Sequence, residues 1–526
     1  MATTGEAVVR LLEQYGTDTV FGIPGVHTLE IYRGLAASPI RHVAPRHEQG
    51  AGFMADAYSR IAGKPGVCVL ITGAGVANAA TPIAGAFHDS IPMLVISSDT
   101  HSRDRGGLVG PLHDLPDQHA FMRTITAESI LVSDPAELPD AFARAWEIFQ
   151  SGRPRPVHIG VPIDVLDLPA AGSDRLDARG GRPVADAAAV ARAAAALADA
   201  KSPFVVLGGG ALAAGDAAIA VAERVGAPIV TTLNGKGAVP DEHPLSLGAR
   251  TTAPAVWEAL GAADVVLAVG TEFSETDYFY VPTLLPPAFT GTLVRIDIDA
   301  EQLGRRPGAD IGLHGDARAT LTSLADALGD PRPDAAERAE AMRAALGPLP
   351  GTAPYLPFLE ALREVLPADG ILVADSTQPA YAAHNSWPVR RPWDYISPAG
   401  FGTLGPALPM AIGAKIAAPD RVVACLAGDG GFLFTVQELA TAAEEHLALP
   451  ILLWQNHGYG EIRESMDRVS VPHVGVGSSA RDFVKLAEGF GCAGVRVDSL
   501  AAMQDAFRAA TTADGPTLIE VSPALR

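Results

Sequence analysis

Cysteine is scarce in this 526-residue chain: Cys68, Cys425 and Cys492 are the only three. Their odd number and wide spacing exclude a disulfide framework or a thiol zinc site, and their apolar, strand-like surroundings predict reduced, buried side chains. Basic residues are also few, 39 Lys and Arg against 60 Asp and Glu, for a net charge of −21 with no basic run. Such a surface repels a phosphate backbone, so no nucleic-acid partner is expected. No apolar run approaches the roughly 18–20 residues that span a bilayer, and Met1-Ala2-Thr3-Thr4-Gly5-Glu6 lacks the basic region of a secretion signal. The expectation is a cytoplasmic protein with no membrane partner. Long polar tracts are missing too: 48% of the residues are hydrophobic and 19% charged, which excludes disorder over any large part of the chain.

What the chain does contain is a rhythm. β-Branched or apolar runs at 67–72, 93–97, 157–160, 204–208, 229–232, 265–270, 293–298, 371–374, 422–427, 451–456 and 517–521 alternate with Ala-rich stretches of helical character. Strands interleaved with helices predict an α/β protein of parallel sheets covered on both faces. The length exceeds what one core supports. Two Gly-, Pro- and charge-rich stretches, 168–186 and 329–357, read as linkers, the second around one helix. Three doubly wound domains are therefore expected: 1–167, 187–330 and 355–526.

The strongest local signal lies in the last of these. The run Val422-Val423-Ala424-Cys425-Leu426-Ala427 ends in Gly428-Asp429-Gly430-Gly431, with a helix expected near Thr435, and the run 451–454 ends in Gln455-Asn456-His457-Gly458-Tyr459-Gly460. Both loops leave the carboxyl ends of parallel strands, where open α/β sheets hold ligands. Glycines let the backbone approach a phosphate, and Asp429 and Asn456 offer hard oxygens to a Mg²⁺ that bridges phosphate oxygens. A Gly-Asp-Gly turn alone has no such meaning; the second strand-ending loop, 27 residues on, supplies it.

This arrangement resembles thiamine-diphosphate enzymes, and the resemblance extends along the chain. Phe21-Gly22-Ile23-Pro24-Gly25, Arg46-His47-Glu48-Gln49-Gly50-Ala51 and Thr72-Gly73-Ala74-Gly75-Val76-Ala77-Asn78 are similar to the pyrimidine-binding domain of the acetolactate synthase and benzoylformate decarboxylase superfamily. Gly400-Phe401-Gly402-Thr403-Leu404-Gly405-Pro406-Ala407-Leu408-Pro409 resembles the segment that bends the cofactor. Gly208-Gly209-Gly210, the stretch from Gly235 to Pro244 and Arg295-Ile296-Asp297-Ile298-Asp299 resemble the central, Rossmann-like domain, although a bare glycine cluster is more often a packing device. The resemblance implies thiamine diphosphate and Mg²⁺ as cofactors, with Asp429, Asn456 and the carbonyl of Gly458 on the metal. Thr377 and Gln378 would bind the diphosphate. Gly402 and Leu404 would hold the aminopyrimidine, with Leu404 as the apolar prop. Gly25, Val26, Asn78, Gly428, Gly430, Gly431 and Tyr459 complete the cofactor-binding set. Glu48 would drive the cofactor's own aminopyrimidine to act as a base, for which it must retain its proton in an apolar site. In this superfamily the glutamate and the metal clamp come from different subunits, so a homodimer is the expected minimal unit and a homotetramer the expected assembly.

The implied reaction is decarboxylation of a 2-oxo acid through an enamine. Protonation of the enamine makes an aldehyde; attack on a second carbonyl makes a 2-hydroxyketone or 2-hydroxy acid, so an acetolactate-synthase-like carboligase is the alternative. A cofactor-binding scaffold without catalysis is a third reading, against which the retained Glu48 and clamp argue. Relative to true acetolactate synthases, the active-site Lys, the Met-His pair and an Arg are replaced around Thr126-Ala127-Glu128, Gly248-Ala249-Arg250 and Glu272. FAD in the central domain is accordingly disfavoured. Relative to benzoylformate decarboxylases, Val26 and Ile71 replace a serine and a histidine, which disfavours aromatic substrates. The stretches from Gly25 to Leu35, Leu112 to Gln118 and Gly458 to Arg463 are most similar to 5-guanidino-2-oxopentanoate decarboxylases. His113 is a candidate proton donor or carboxylate anchor. Glu461, five residues past Asn456, is a candidate partner for a cationic guanidinium.

Overall fold

The computed structural model describes all residues except 1, 108, 171–173, 178–179, 279–288, 348, 350, 399, 479–480 and 526. Each predicted apolar run forms a strand, because a run buried on both faces has nowhere to lie but inside a parallel sheet. The first sheet contains β1 (Thr19–Gly22), β2 (Arg41–Val43), β3 (Gly66–Leu70), β4 (Met93–Asp99), β5 (Glu128–Leu131) and β6 (Val157–Pro162), in the order β2-β1-β3-β4-β6-β5. The second contains β7 (Pro203–Leu207), β8 (Ile229–Thr231), β9 (Val265–Val269), β10 (Thr292–Asp297) and β11 (Ile311–His314), ordered β11-β10-β9-β7-β8. The third contains β12 (Ile371–Ala374), β13 (Tyr395–Ile396), β14 (Val423–Gly428), β15 (Pro450–Trp454), β16 (Ala493–Arg496) and β17 (Thr517–Val521), ordered β13-β12-β14-β15-β17-β16. The ladders from β1 with β3 to β12 with β14 and β14 with β15 are parallel. The three sheets with their helices are the expected α/β domains.

By contact the chain divides into two units. One comprises 1–180, 361–377 and 396–526; the other comprises 181–360 and 378–395. In the first unit, the helix Glu48–Ala62 is buried from Gly50 to Arg60 and crosses the equally buried helix Ala407–Ala417. The crossing is close because Gly413 lies against the Met54 carbonyl, where a Cβ would overlap. In the second unit, Ala-rich helices pack Val190, Leu197, Val221 and Leu321 on the sheet around Val205, Leu267 and Ile296.

Strand order locates the crevices. In the first sheet the winding reverses between β1 and β3, in the third between β12 and β14, and in the second between β7 and β9. Ligand crevices open beyond the carboxyl ends of strands at such reversals. In the second sheet that position is filled: Gly208 and Gly210 pack on Gly270 and Thr271. The glycine cluster there is a packing device.

One sequence expectation needs correction. The helix after Gly428 begins at once, as Asp429–Phe432, and the next begins at Glu438, not near Thr435. The early start follows from Gly428, whose extended backbone ends β14 directly at the helix cap. The three cysteines are buried and unpaired, as expected, and burial raises each thiol, Cys492 to about 11. Among the described residues no helix is long and apolar enough to cross a membrane.

Candidate active site

In the third sheet the neighbouring strands β14 and β15 bring two strand ends together. After β14, the Asp429 carboxylate accepts the amides of Gly430 and Gly458, both at 3.0 Å. Burial pushes its pKa up against the pull of those amides. The Gly458 amide belongs to the loop after β15, so one side chain joins the two loops that carry Asp429 and Asn456. Asn456 is half-buried, and its carbonyl accepts Arg463 Nη2 at 3.2 Å. A buried carboxylate with an amide and a carbonyl oxygen close in sequence is the donor set that Mg²⁺ takes when phosphate oxygens supply its other ligands. No trio of His, Cys, Asp and Glu side chains gathers as a metal cage among the described residues.

The glycines of this loop are required by what lies against them. A Cβ on Gly428 would come within 2.8 Å of Thr377 Oγ1, one on Gly430 within 2.7 Å of the Tyr459 ring, and one on Gly431 within 2.8 Å of Asp375 Oδ2. Thr377 is buried and immediately precedes the helix Gln378–Ser386, so Thr377 and Gln378 stand at a helix N-terminus. Orphan amides at such a terminus suit a diphosphate.

Asp375, at the end of β12, has a part that sequence reasoning missed. It is fully buried, and its oxygens accept the Gly405 amide at 3.0 and 3.2 Å and the Ser376 amide at 2.7 Å. Burial raises its pKa to about 7. Asp375 thereby fixes the 402–405 loop, with Gly402 exposed and Leu404 half-buried, beside the Gly428–Gly431 turn. The other end of that loop is held by Asp89, whose Oδ1 accepts the Gly400 amide at 3.2 Å while Oδ2 pairs with buried Arg60 at 2.9 Å.

The reversal in the first sheet builds a second group. Glu48 opens its helix, half-buried, with Oε2 accepting Asn78 Nδ2 at 2.9 Å. A Cβ on Gly75 would lie 3.4 Å from Glu48 Oε1 and 2.9 Å from Ile71, whose side chain also abuts Gly25. Ile71 thus packs on Gly25 and Gly75, Glu48 lies against Gly75 and Asn78, and Val26, 64% exposed, follows Gly25. His113 joins this group through its carbonyl, which lies against Gly73, and through His27, whose ring it meets edge-on at 5.2 Å. Neither His27 nor Glu438 was singled out in the sequence. Glu438 is wholly buried, and both of its oxygens accept the Arg46 amide at 3.1 Å, two residues before Glu48.

Glu461 lies in the first turn of the helix Gly460–Arg468, half-buried, 3.4 Å from Arg468 Nη2. Burial and then Glu464 raise its pKa, with Arg468 opposing. A carboxylate near the Asn456 loop that already faces a guanidinium has the chemistry to accept another.

These crevices, each at a winding reversal and each equipped for one half of a bent diphosphate cofactor, define a class. The chain belongs to the thiamine pyrophosphate enzyme family: residues 2–129 match its N-terminal TPP-binding domain, 190–324 its central domain and 375–521 its C-terminal TPP-binding domain. Among individual proteins, it is 47% identical to a probable 2-ketoarginine decarboxylase of Pseudomonas aeruginosa, over 99% of this chain and 94% of that protein. It is 34% identical to the acetolactate synthase large subunit of Corynebacterium glutamicum, over 94% and 82% of the two chains. It is 31% identical to the acetolactate synthase isozyme 1 large subunit of Escherichia coli, over 99% and 93%.

Proposed function

We propose that this enzyme decarboxylates a 2-oxo acid and that its substrate is 5-guanidino-2-oxopentanoate, that is, 2-ketoarginine. The observation that carries the reading is the buried Asp429 carboxylate joining the Asn456 loop beside glycines that admit no side chain. Thiamine diphosphate supplies a carbon nucleophile that adds to the 2-oxo carbonyl and takes up the electrons released with carbon dioxide. Asp429, Asn456 and the Gly458 carbonyl would hold Mg²⁺. Gly428, Gly430, Gly431, Thr377, Gln378 and Tyr459 would hold the diphosphate. Gly25, Val26, Asn78, Gly402 and Leu404 would seat the pyrimidine, and Glu48 would exchange a proton with it. His113 would serve the reacting carboxylate or its proton, and Glu461 would receive the guanidinium. Glu48 and the clamp are contributed by different subunits of a homodimer, which pairs further into a tetramer in the cytoplasm.

Purified protein loaded with Mg²⁺ and thiamine diphosphate should release carbon dioxide fastest from the guanidino acid, ahead of pyruvate, branched and aromatic 2-oxo acids, with an aldehyde as product. Glu461→Ala should lose about tenfold or more on the guanidino acid, the size of one charge-assisted hydrogen bond, and little on neutral acids. Equal losses on both would remove Glu461 from recognition. A second reading, carboligation, is favoured by the acetolactate synthase relatives; an acyloin or 2-hydroxy acid in place of aldehyde would establish it.

A further inference from the structure

His27 sits in the short turn Val26–Thr28 after β1, with Nδ1 3.1 Å from Thr72 Oγ1. Thr72 has a single hydroxyl hydrogen, and it is donated to Ser98 Oγ at 2.8 Å. Ser98 Oγ also accepts the Thr72 amide at 2.9 Å. Thr72 Oγ1 therefore faces His27 only as an acceptor, so Nδ1 carries a hydrogen and the neutral ring keeps its lone pair on Nε2. A third group fixing the tautomer in this way is how acid–base histidines are prepared.

The acceptor is itself held firmly. Thr72 and Ser98 are buried, the Gly73 amide donates to Gln118 Oε1 at 2.7 Å, and Gln118 Nε2 donates to Ser97 Oγ and to the Ser98 carbonyl, both at 3.0 Å. On its other side His27 meets the His113 ring edge-on, with the planes at 88°. His113 has a left-handed backbone, φ +64°, and its carbonyl lies against Gly73. Burial, and then the neighbouring imidazole, hold the His27 pKa below its ordinary value.

We infer that His27, its Nδ1 committed to Thr72, is a positioning residue that works with His113 as a two-imidazole acid–base unit delivering the proton that completes the aldehyde. In that step a C–H bond forms at the carbon that has lost carbon dioxide, using that carbon's electron pair. One N–H bond of an imidazolium breaks, and the neutral ring regains its proton from water. The inference deepens the decarboxylase reading and rests on it; the tautomer does not.

Two measurements test it. In ¹⁵N-histidine-labelled protein without cofactor, with His27 assigned from its loss in His27→Gln, nitrogen shifts should show the Nδ1–H tautomer, and Thr72→Val should move it toward Nε2–H. An Nε2–H ring in the wild type, or no change in Thr72→Val, overturns the assignment. In the loaded enzyme, His27→Gln should slow aldehyde release about 10²-fold, a usual share for a placed acid–base group. Carbon dioxide released in the first turnover and the affinity for thiamine diphosphate should stay near wild type. Equal loss of both products, or unchanged aldehyde release, overturns the role. If wild-type enzyme yields no aldehyde from any 2-oxo acid, the decarboxylase reading falls and the delivery step with it, whereas the tautomer result still judges the site.

Discussion

Glu438 and Glu48 stand near the start of one helix, Glu48–Ala62, but answer to different demands. Glu438 holds the amide of Arg46 and, with it, the entry to the helix that Glu48 opens. Burial raises its pKa from 4.5 to about 7. A carboxyl whose folded pKa is raised favours the folded state most below its unfolded value, and that contribution is lost as pH rises through the folded one. Relative to wild type, Glu438→Gln should gain stability between pH 5 and pH 8, by at most about 3 kcal/mol. Thermal unfolding at the two pH values checks this; a constant difference would contradict it. Glu48→Gln, by contrast, should leave folding intact and slow turnover by roughly 10²–10⁴. Hydrogen–deuterium exchange at the cofactor's reactive carbon is the direct measure. At this scale the meeting of the two loops that carry Asp429 and Asn456 was legible, because glycines and strand ends in the sequence announce it. Glu438 was not, because its burial is made by a partner 392 residues away. Nor was Asp375, since only folding brings Gly405 and Gly431 onto it.

Strands were legible in proportion to their burial. The eleven apolar runs are strands such as β3, β4, β9 and β14, buried along nearly their whole length. The six left unread are short or lie at edges: β2 and β16 have exposed residues, β5 is only half-buried, β11 alternates, β13 has two residues, and β1 has four. An edge strand needs no continuous apolar run, because one flank and often one face remain in water. The helix crossing at Gly413 was equally silent, since the partner carbonyl of Met54 is defined only by the packed structure. Gly413→Ala should destabilise the first unit by about 1–3 kcal/mol through overpacking, read as a lowered unfolding midpoint. An unchanged midpoint would mean that the two helices separate without cost.

For the molecule as a whole, the proposed sharing of the site between subunits would have a numerical signature. If Glu48 and Asp429 serve one site from different subunits, Glu48→Gln and Asp429→Asn each damage every site of their own dimer, whereas a hybrid dimer keeps one undamaged site. Equal mixing with subunit exchange should restore roughly a quarter of wild-type turnover, as random pairing of a two-fold dimer requires. No recovery, with exchange demonstrated by tagged chains, would place both residues in one subunit's site. The glycine turn after β14 also limits how such an enzyme can change its diet. With a hydroxyl, an aromatic ring and a carboxylate each closed against a different α-carbon of that turn, the proposed cofactor grip tolerates little change. Under that proposal, selection for a new substrate would act elsewhere, on the helix bearing Glu461 and the loop bearing His113. A library randomised at those two places should yield altered preferences, whereas one randomised at the glycines should yield mostly inactive protein.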